Sequence, residues 1–212
     1  MILSTAYCPP IEFFALLAGN SAVMLDSTER YQKQSWRNRC RILTAGGPMD
    51  LRFPIVHNGR YGITEVLVDY STPWVSQTEY AIESAYSSSP FFEYYRDAMF
   101  AILDSHPATL WELDARLIDF FCRKIGLPAP AAGVVSALQG AALAGVPGSV
   151  LLSGDVSVAT AGPKYELHPK KPSGYVGRPY WQVFRNKFGF VPGLSVMDLL
   201  FCEGPESICF LK

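Results

Sequence analysis

Two short stretches of the chain concentrate the residue types that bind anions. RYQKQSWRNRCR, residues 30–41, and the longer stretch 164–187 together hold eleven of the eighteen basic residues, and Glu166 is the one acid inside them. Arginine grips phosphate or carboxylate with a planar fork, and lysine adds a compact positive charge. Aromatic rings that can stack on a base or sugar lie among them: Tyr31, Trp36, Tyr175, Tyr180 and Trp181.

We expect the two stretches to meet around a phosphorylated or nucleotide-linked ligand. In this interpretation four cations clamp the phosphates and either Trp36 or Trp181 stacks on a ring; the cations are Lys33, Arg39, Lys170 and Arg178. The alternative is that the stretches lie on separate faces and pair with acids elsewhere in the fold. Asn38 has two interpretations as well, a ligand contact or a buried structural pair with Arg39.

Two further side chains are candidates for proton transfer. His168 precedes two lysines, which favour its neutral form and thus a general base, although a surface-loop histidine is the plainer interpretation. Asp198 stands three positions after Ser195, a spacing typical of a helix capping box. Alternatively, Asp198 orients Arg39 or Lys33 from behind the site.

Composition and motifs exclude several classes of function. The net charge of −1 argues against a dedicated nucleic-acid-binding protein. Five cysteines without a CxxC spacing and three scattered histidines predict no metal site, and no cofactor motif is present. Gln34 and Cys40 have the spacing of a cysteine protease, but Cys40 begins a predicted strand, so we expect a buried thiol. No apolar run is long enough to cross a bilayer, and we expect a cytoplasmic protein.

The hydrophobic patterns predict an α+β fold in a single compact domain spanning residues 1–212. N-terminal strands flank a helix over 11–19, an antiparallel meander of three strands covers 39–70, and a helical region follows. Its helices are expected at 74–88, 90–105 and 110–126, with a short one after Ser195. The Ala- and Gly-rich insertion 129–161 shows no clear period, so helix, strand and loosely packed insertion all remain open.

Five segments, in order, resemble the WbqC-like family: AYCPPIEFFALL, YQKQSWRNRC, RFPI, AIESAYSSSPFFEYYRD and YWQVFRNKFGFVPGLSVMDLLFCEGPES. The resemblance implies a bacterial protein. It also implies a transferase that modifies a sugar in O-antigen or other surface-polysaccharide synthesis. The specific form that it suggests is addition of glycine or another amino acid to an amino group. It also marks Gln182 among the characteristic positions. The alternative is a non-catalytic protein that binds a tRNA, a carrier protein or a biosynthetic enzyme through its basic face.

Overall fold

A computed structural model describes residues 1–133, 164–171, 173–175 and 177–212 of the chain. Most of the insertion 129–161 therefore lies outside the described residues. The strands are β1 (Ile2–Leu3), β2 (Met24–Asp26), β3 (Arg39–Thr44), β4 (Gly47–Arg52), β5 (Ala131–Gly133) and β6 (Lys164–Tyr165). The helices are α1 (Ile11–Gly19), α2 (Trp74–Tyr86), α3 (Phe92–Asp104), α4 (Leu110–Ile125), α5 (Arg185–Phe188) and α6 (Val196–Glu203), with 3-10 turns at Trp36–Asn38 and Gly204–Phe210. The predicted α+β class is confirmed.

Four of the strands form a small parallel sheet in the order β5-β2-β1-β6. Ile2 of β1 lies opposite Met24 on one side and Lys164 on the other. Parallel neighbours need a crossover connection. Helix α1 provides the one between β1 and β2, and it begins directly after Pro9 and Pro10, whose rings suit a helix start.

Strands β3 and β4 form an antiparallel hairpin in which Cys40 pairs with Leu51. The predicted meander is wrong beyond this hairpin, because residues 53–70 form only isolated bridges such as Ile55 with Val68. Pro54 has no N–H to donate to a ladder. Farther along, the backbone bonds of this segment are divided among several partners: the amide of Ile63 donates to the carbonyl of Glu29, and the amide of Val68 donates to the carbonyl of Ala108.

The three predicted long helices are present as α2, α3 and α4, each ending within a few residues of the expected position. Thr109 caps α4 by accepting from the amide of Glu112 at 3.1 Å, and the Glu112 carboxylate accepts from the amide of Ala108 at 3.2 Å. Gly126, with φ of +82°, ends the helix in the left-handed conformation that glycine adopts without strain.

Helix α6 is the centre of the core. All seven residues from Val196 to Cys202 are buried, as expected for a helix that is enclosed on every side. Its first turn is tied to two other segments: the Ser195 hydroxyl donates to the carbonyl of Cys8 at 2.7 Å, and the Ser195 amide donates to the carbonyl of Arg41 at 2.7 Å. The segment after β1 and strand β3 therefore meet at the start of α6. No helix among the described residues is long and apolar enough to span a membrane.

Gly204, which follows α6, is held against the ring of Phe91. A Cβ at this position would lie 2.6 Å from a Phe91 ring carbon, and the φ of Gly204 is +55°. Replacing Gly204 with alanine should lower the free energy of unfolding by about 2–4 kcal/mol, because overpacking and backbone strain add. Urea denaturation measures the change.

Gly19→Ala is the matched control, since a Cβ there meets no atom within 4 Å. It should be neutral or stabilising by up to about 1 kcal/mol. A Gly204→Ala variant as stable as the unaltered chain would contradict this packing.

Candidate functional site

A cleft of about 300 Å³ lies where the two basic stretches meet. Trp36 and Arg41 come from the first stretch, and Lys171 and Arg178 from the second. The start of α1 and the loops around Phe190 and Phe210 complete its walls. The two stretches therefore contribute to one concavity, as the sequence predicts.

The cleft is placed by the topology of the parallel sheet. Pro10 and Glu12 follow β1, and Leu167 to Pro169 follow β6, so both wall segments leave the carboxyl ends of neighbouring strands. From β1 the chain passes to β2, which is the neighbour of β1 on one side in the sheet. Strand β6 is the neighbour of β1 on the other side. In open parallel sheets, ligands bind at such a reversal of strand order.

The first basic stretch is fixed to the sheet by a buried ion pair between Arg37 and Glu29. The guanidinium donates through Nε and Nη2 to the two carboxylate oxygens at 3.1 and 2.5 Å. Nη2 also donates to the Ser4 hydroxyl at 3.0 Å, and the amide of Tyr7 donates to the carbonyl of Trp36 at 2.8 Å. Arg37 is thus a structural residue, and its charge is neutralised inside the protein.

The arginines of the hairpin share a single carboxylate. Asp50 accepts from Arg41 Nε at 2.8 Å and from Arg39 Nη1 at 3.3 Å, and Arg52 Nη2 lies 3.9 Å away. Three guanidinium groups around one carboxylate leave an excess of positive charge. Arg41 lies over the ring of Trp36, 5.6 Å from its centroid, and carries part of this charge into the cleft.

At the start of the second basic stretch, Lys164 Nζ donates to Asp26 Oδ2 at 2.7 Å, but the cations after it are held by polar contacts or exposed pairs. Arg178 Nη1 donates to the carbonyl of Cys209 at 3.2 Å, which leaves its charge uncompensated by that contact. Lys171 Nζ lies 3.7 Å from Glu166 in an exposed pair, which is weak in water. Lys170 Nζ donates to Gln34 Oε1 and so links the two stretches directly.

His168 lines the cleft with a defined orientation. Its Nδ1 accepts from the amide of Lys170 at 3.1 Å. In the neutral imidazole the proton then resides on Nε2. His168 is therefore arranged to donate a hydrogen bond through Nε2. Nδ1, the nitrogen that would accept a proton in general-base catalysis, already accepts from the amide of Lys170.

Asp198 lies behind the cleft wall and is fully buried. Its Oδ2 accepts from the Tyr180 hydroxyl at 2.5 Å and from Gln182 Nε2 at 3.1 Å, so the predicted capping box and the predicted contact with Arg39 or Lys33 do not form. Burial raises the pKa of Asp198 to about 6, and hydrogen bonds from Tyr180, Tyr86 and Gln182 lower it only in part. Because Tyr180 lines the cleft, Asp198 is a positioning residue.

Gln182 positions the same wall. Its side chain accepts from the amide of Val191 at 2.9 Å and donates to the carbonyl of Val191 at 3.0 Å, which closes the loop between them. The side chain has no exposed surface. Gln182 therefore shapes the cleft from inside the protein.

Three of the predicted site residues line the cleft: Trp36, His168 and Arg178. The other seven lie outside its lining: Lys33, Asn38, Arg39, Lys170, Trp181, Gln182 and Asp198. Asn38 makes structural contacts, donating to the carbonyl of Phe53 at 2.9 Å and accepting from the Tyr31 hydroxyl at 3.1 Å.

The lining also includes side chains that were not predicted as site residues, four of which are Glu12, Arg41, Lys171 and Tyr175. Three of them belong to the basic, aromatic stretches, so the sequence signal pointed to the right segments. Glu12 gave no signal, because an acid in the first turn of a helix is typical of any helix.

Other reactive groups give no second site among the described residues. No cluster of three metal-ligating side chains occurs there. Cys40 is buried within β3, as the structural interpretation of that thiol requires. A wider groove of about 440 Å³ between α2 and α3 is lined by Glu79, Glu83, Asp97 and Asp104 with Arg96. Its excess of carboxylates disfavours an anionic ligand there.

Replacing Asp198 with asparagine should remove a pH dependence of stability. Since the pKa of Asp198 is raised to about 6, the protonated carboxyl stabilises the folded state below pH 4. This stabilisation is lost as the pH rises through 6. Asparagine keeps an acceptor for Tyr180 and Gln182 but cannot ionise.

The variant's free energy of unfolding, relative to the unaltered chain, should therefore increase by about 2 kcal/mol from pH 4 to pH 7. Denaturant titrations at several pH values measure the difference, in which other titrating groups such as Asp114 cancel. A difference that stays constant with pH would contradict the buried, proton-binding carboxyl.

A mycobacterial protein is similar to this chain over its whole length. The chain is 28% identical over 235 residues to "Uncharacterized protein Rv1507c" of Mycobacterium tuberculosis (strain ATCC 25618 / H37Rv), an alignment that covers all of this chain and 96% of the relative. No solved structure matches significantly.

A family model described as the WbqC-like protein family matches residues 5–143. The matched region includes the Glu29–Arg37 pair, the hairpin and the three long helices, and it ends before the second basic stretch. The match covers well over half of the chain. The chain belongs to the WbqC-like protein family.

Proposed function

We propose that the cleft binds a phosphorylated or nucleotide-linked sugar, and that the protein is a cytoplasmic transferase that modifies such a sugar in bacterial surface-polysaccharide synthesis. The observation that carries the proposal is the meeting of Arg41, Lys171 and Arg178 around one concavity with aromatic walls. These cations come from stretches more than a hundred residues apart in the sequence.

The charge of the lining favours an anion. Among the described residues, three cationic side chains line the cleft and Glu12 is the one carboxylate there. Arg41 shares Asp50 with two other arginines, and Arg178 contacts a carbonyl oxygen rather than a carboxylate. Guanidinium groups with free donors bind phosphate through paired, charge-assisted hydrogen bonds. His168 adds a donor through Nε2, which suits a phosphate or a sugar hydroxyl.

The shape and the walls favour a small ligand with a ring. A cavity of about 300 Å³ is at the lower end of the range for small-molecule sites. Tyr175, 37% exposed, offers its ring to the cleft, whereas Trp36 is 7% exposed and forms a floor beneath Arg41. We therefore assign ring stacking to Tyr175 and the support of Arg41 to Trp36.

Transfer chemistry rests on the family resemblance, which connects such proteins with polysaccharide enzymes. The specific reaction that we propose is the transfer of an aminoacyl group, such as glycyl, to the amine of the sugar. The donor would be an aminoacyl compound, and the acceptor would lie in the cleft with its phosphate on the three cations. Asp198 acts in this scheme through Tyr180, not by touching the ligand.

Replacing Arg178 with glutamine should weaken binding of a nucleotide sugar, tested with UDP-N-acetylglucosamine, by roughly 10- to 100-fold, because one charge-assisted contact to phosphate is lost. Isothermal titration calorimetry measures the affinity. Arg123→Gln is the control, since Arg123 pairs with Asp119 on the exposed surface of α4 and does not line the cleft. Equal affinities of the Arg178 variant and the unaltered chain would refute the assignment.

Salt dependence separates this function from binding of a tRNA. A small ligand held by three cations should lose affinity only gently between 50 and 200 mM salt. A nucleic acid that contacts many phosphates loses roughly a thousandfold or more over that range. If a tRNA binds with a steep slope while the nucleotide sugar does not bind, the non-catalytic alternative is correct.

A further inference from the structure

Glu12 is an unusual component of a cleft built for anions. It stands in the first turn of α1 and lines the cleft together with Arg41, Lys171 and Arg178. A carboxylate in this position repels a phosphate and weakens the binding that the three cations provide. A ligand that also carries a cationic group would be attracted to Glu12 and would account for the carboxylate in this position.

The carboxylate is held in place by hydroxyl groups. Oε1 accepts from the Tyr165 hydroxyl at 2.8 Å, and Oε2 accepts from the Ser173 hydroxyl at 2.6 Å. No lysine or arginine of the described residues lies within 4 Å of it, unlike the carboxylates of Glu29 and Asp50. Each oxygen of a carboxylate has capacity for a further hydrogen bond. Glu12 thus keeps a negative charge that no cation of the described residues neutralises by direct contact.

Side chains of opposite charge, Glu12 and Arg178, line the cleft together with Tyr175. Burial raises the pKa of its hydroxyl, the carboxylate of Glu12 raises it further, and the guanidinium of Arg178 lowers it. The two charged groups therefore act on the same ring from within the cleft. A ligand stacked on Tyr175 would meet a cation and an anion at once.

We propose that Glu12 forms an ammonium subsite, so that the ligand of the cleft carries a primary amine as well as a phosphate, as an amino-sugar phosphate does. The inference rests on the proposed function, because the phosphate is assigned to the three cations. The hydroxyls of Tyr165 and Ser173 orient the carboxylate, and the ammonium group supplies the positive charge that Glu12 lacks.

The test compares two probes that differ only at the nitrogen. Glucosamine 1-phosphate carries an ammonium group, and N-acetylglucosamine 1-phosphate carries a neutral amide. The unaltered chain should bind the first about tenfold more tightly by calorimetry at pH 7, the worth of one charge-assisted hydrogen bond. Equal affinities for both probes would overturn the ammonium subsite and leave the proposed phosphate site intact. If neither probe binds, the ammonium subsite fails, and the proposed function fails with it when UDP-N-acetylglucosamine does not bind either.

Glu12→Gln provides the second arm. Its Oε1 can still accept from one of the two hydroxyls, Tyr165 or Ser173, while its Nε2 donates to the oxygen of the other, and it has no charge, so it should bind both probes equally. Glu12→Asp, which keeps the charge, should retain part of the preference for the amine. Arg178→Gln should weaken both probes to the same extent. A Glu12→Gln variant that still prefers the amine would show that Glu12 only holds the loop. Should Glu12→Gln fail to fold, the comparison of the two probes on the unaltered chain still decides the question.

Discussion

The buried ion pair of Glu29 and Arg37 is the constraint on which the cleft depends. Both residues have almost no exposed surface, and removing either would leave an uncompensated charge at a cost of about 3–5 kcal/mol. Glu29 also accepts at 3.2 Å from the amide of Thr5, which follows β1, and lies 3.8 Å from Nζ of Lys164, the first residue of β6. One carboxylate therefore connects the first basic stretch with both strands. The parallel sheet and the cleft are therefore built on the same contact.

The basic residues divide into two groups by what surrounds them. Arg37 is neutralised inside the protein and Arg39 is largely buried against Asp50, so both stabilise the fold. Arg41, Lys171 and Arg178 reach the cleft with weak or shared partners, so they retain charge for a ligand. The same local sequence thus supplies both structural and binding cations. Asp198 and Gln182 complete the arrangement by fixing Tyr180 and the loop to Val191.

The helices and the first hairpin could be predicted because local signals decide them: caps at Thr109 and Ser195 and the period of apolar residues. The third meander strand could not, since its backbone bonds are divided among residues 29–31, 54–56 and 108–110, a division that no local pattern reveals. The same holds for the site. The sequence predicted that the two basic stretches meet, but whether Arg39 or Arg41, and Lys170 or Lys171, faces the cleft depends on where Asp50 and Gln34 lie in space.

The most direct test of the central claim is a titration of ¹⁵N-labelled protein with UDP-N-acetylglucosamine, followed by NMR. A ligand in the cleft should shift the indole resonance of Trp36 and the backbone amides of Lys171, Tyr175 and Arg178 with one common dissociation constant. The indole resonances of Trp74, buried in the core, and of Trp181, exposed outside the cleft, should stay unchanged. Shifts confined to one basic stretch, or shifts at Trp181 without Trp36, would contradict a shared site.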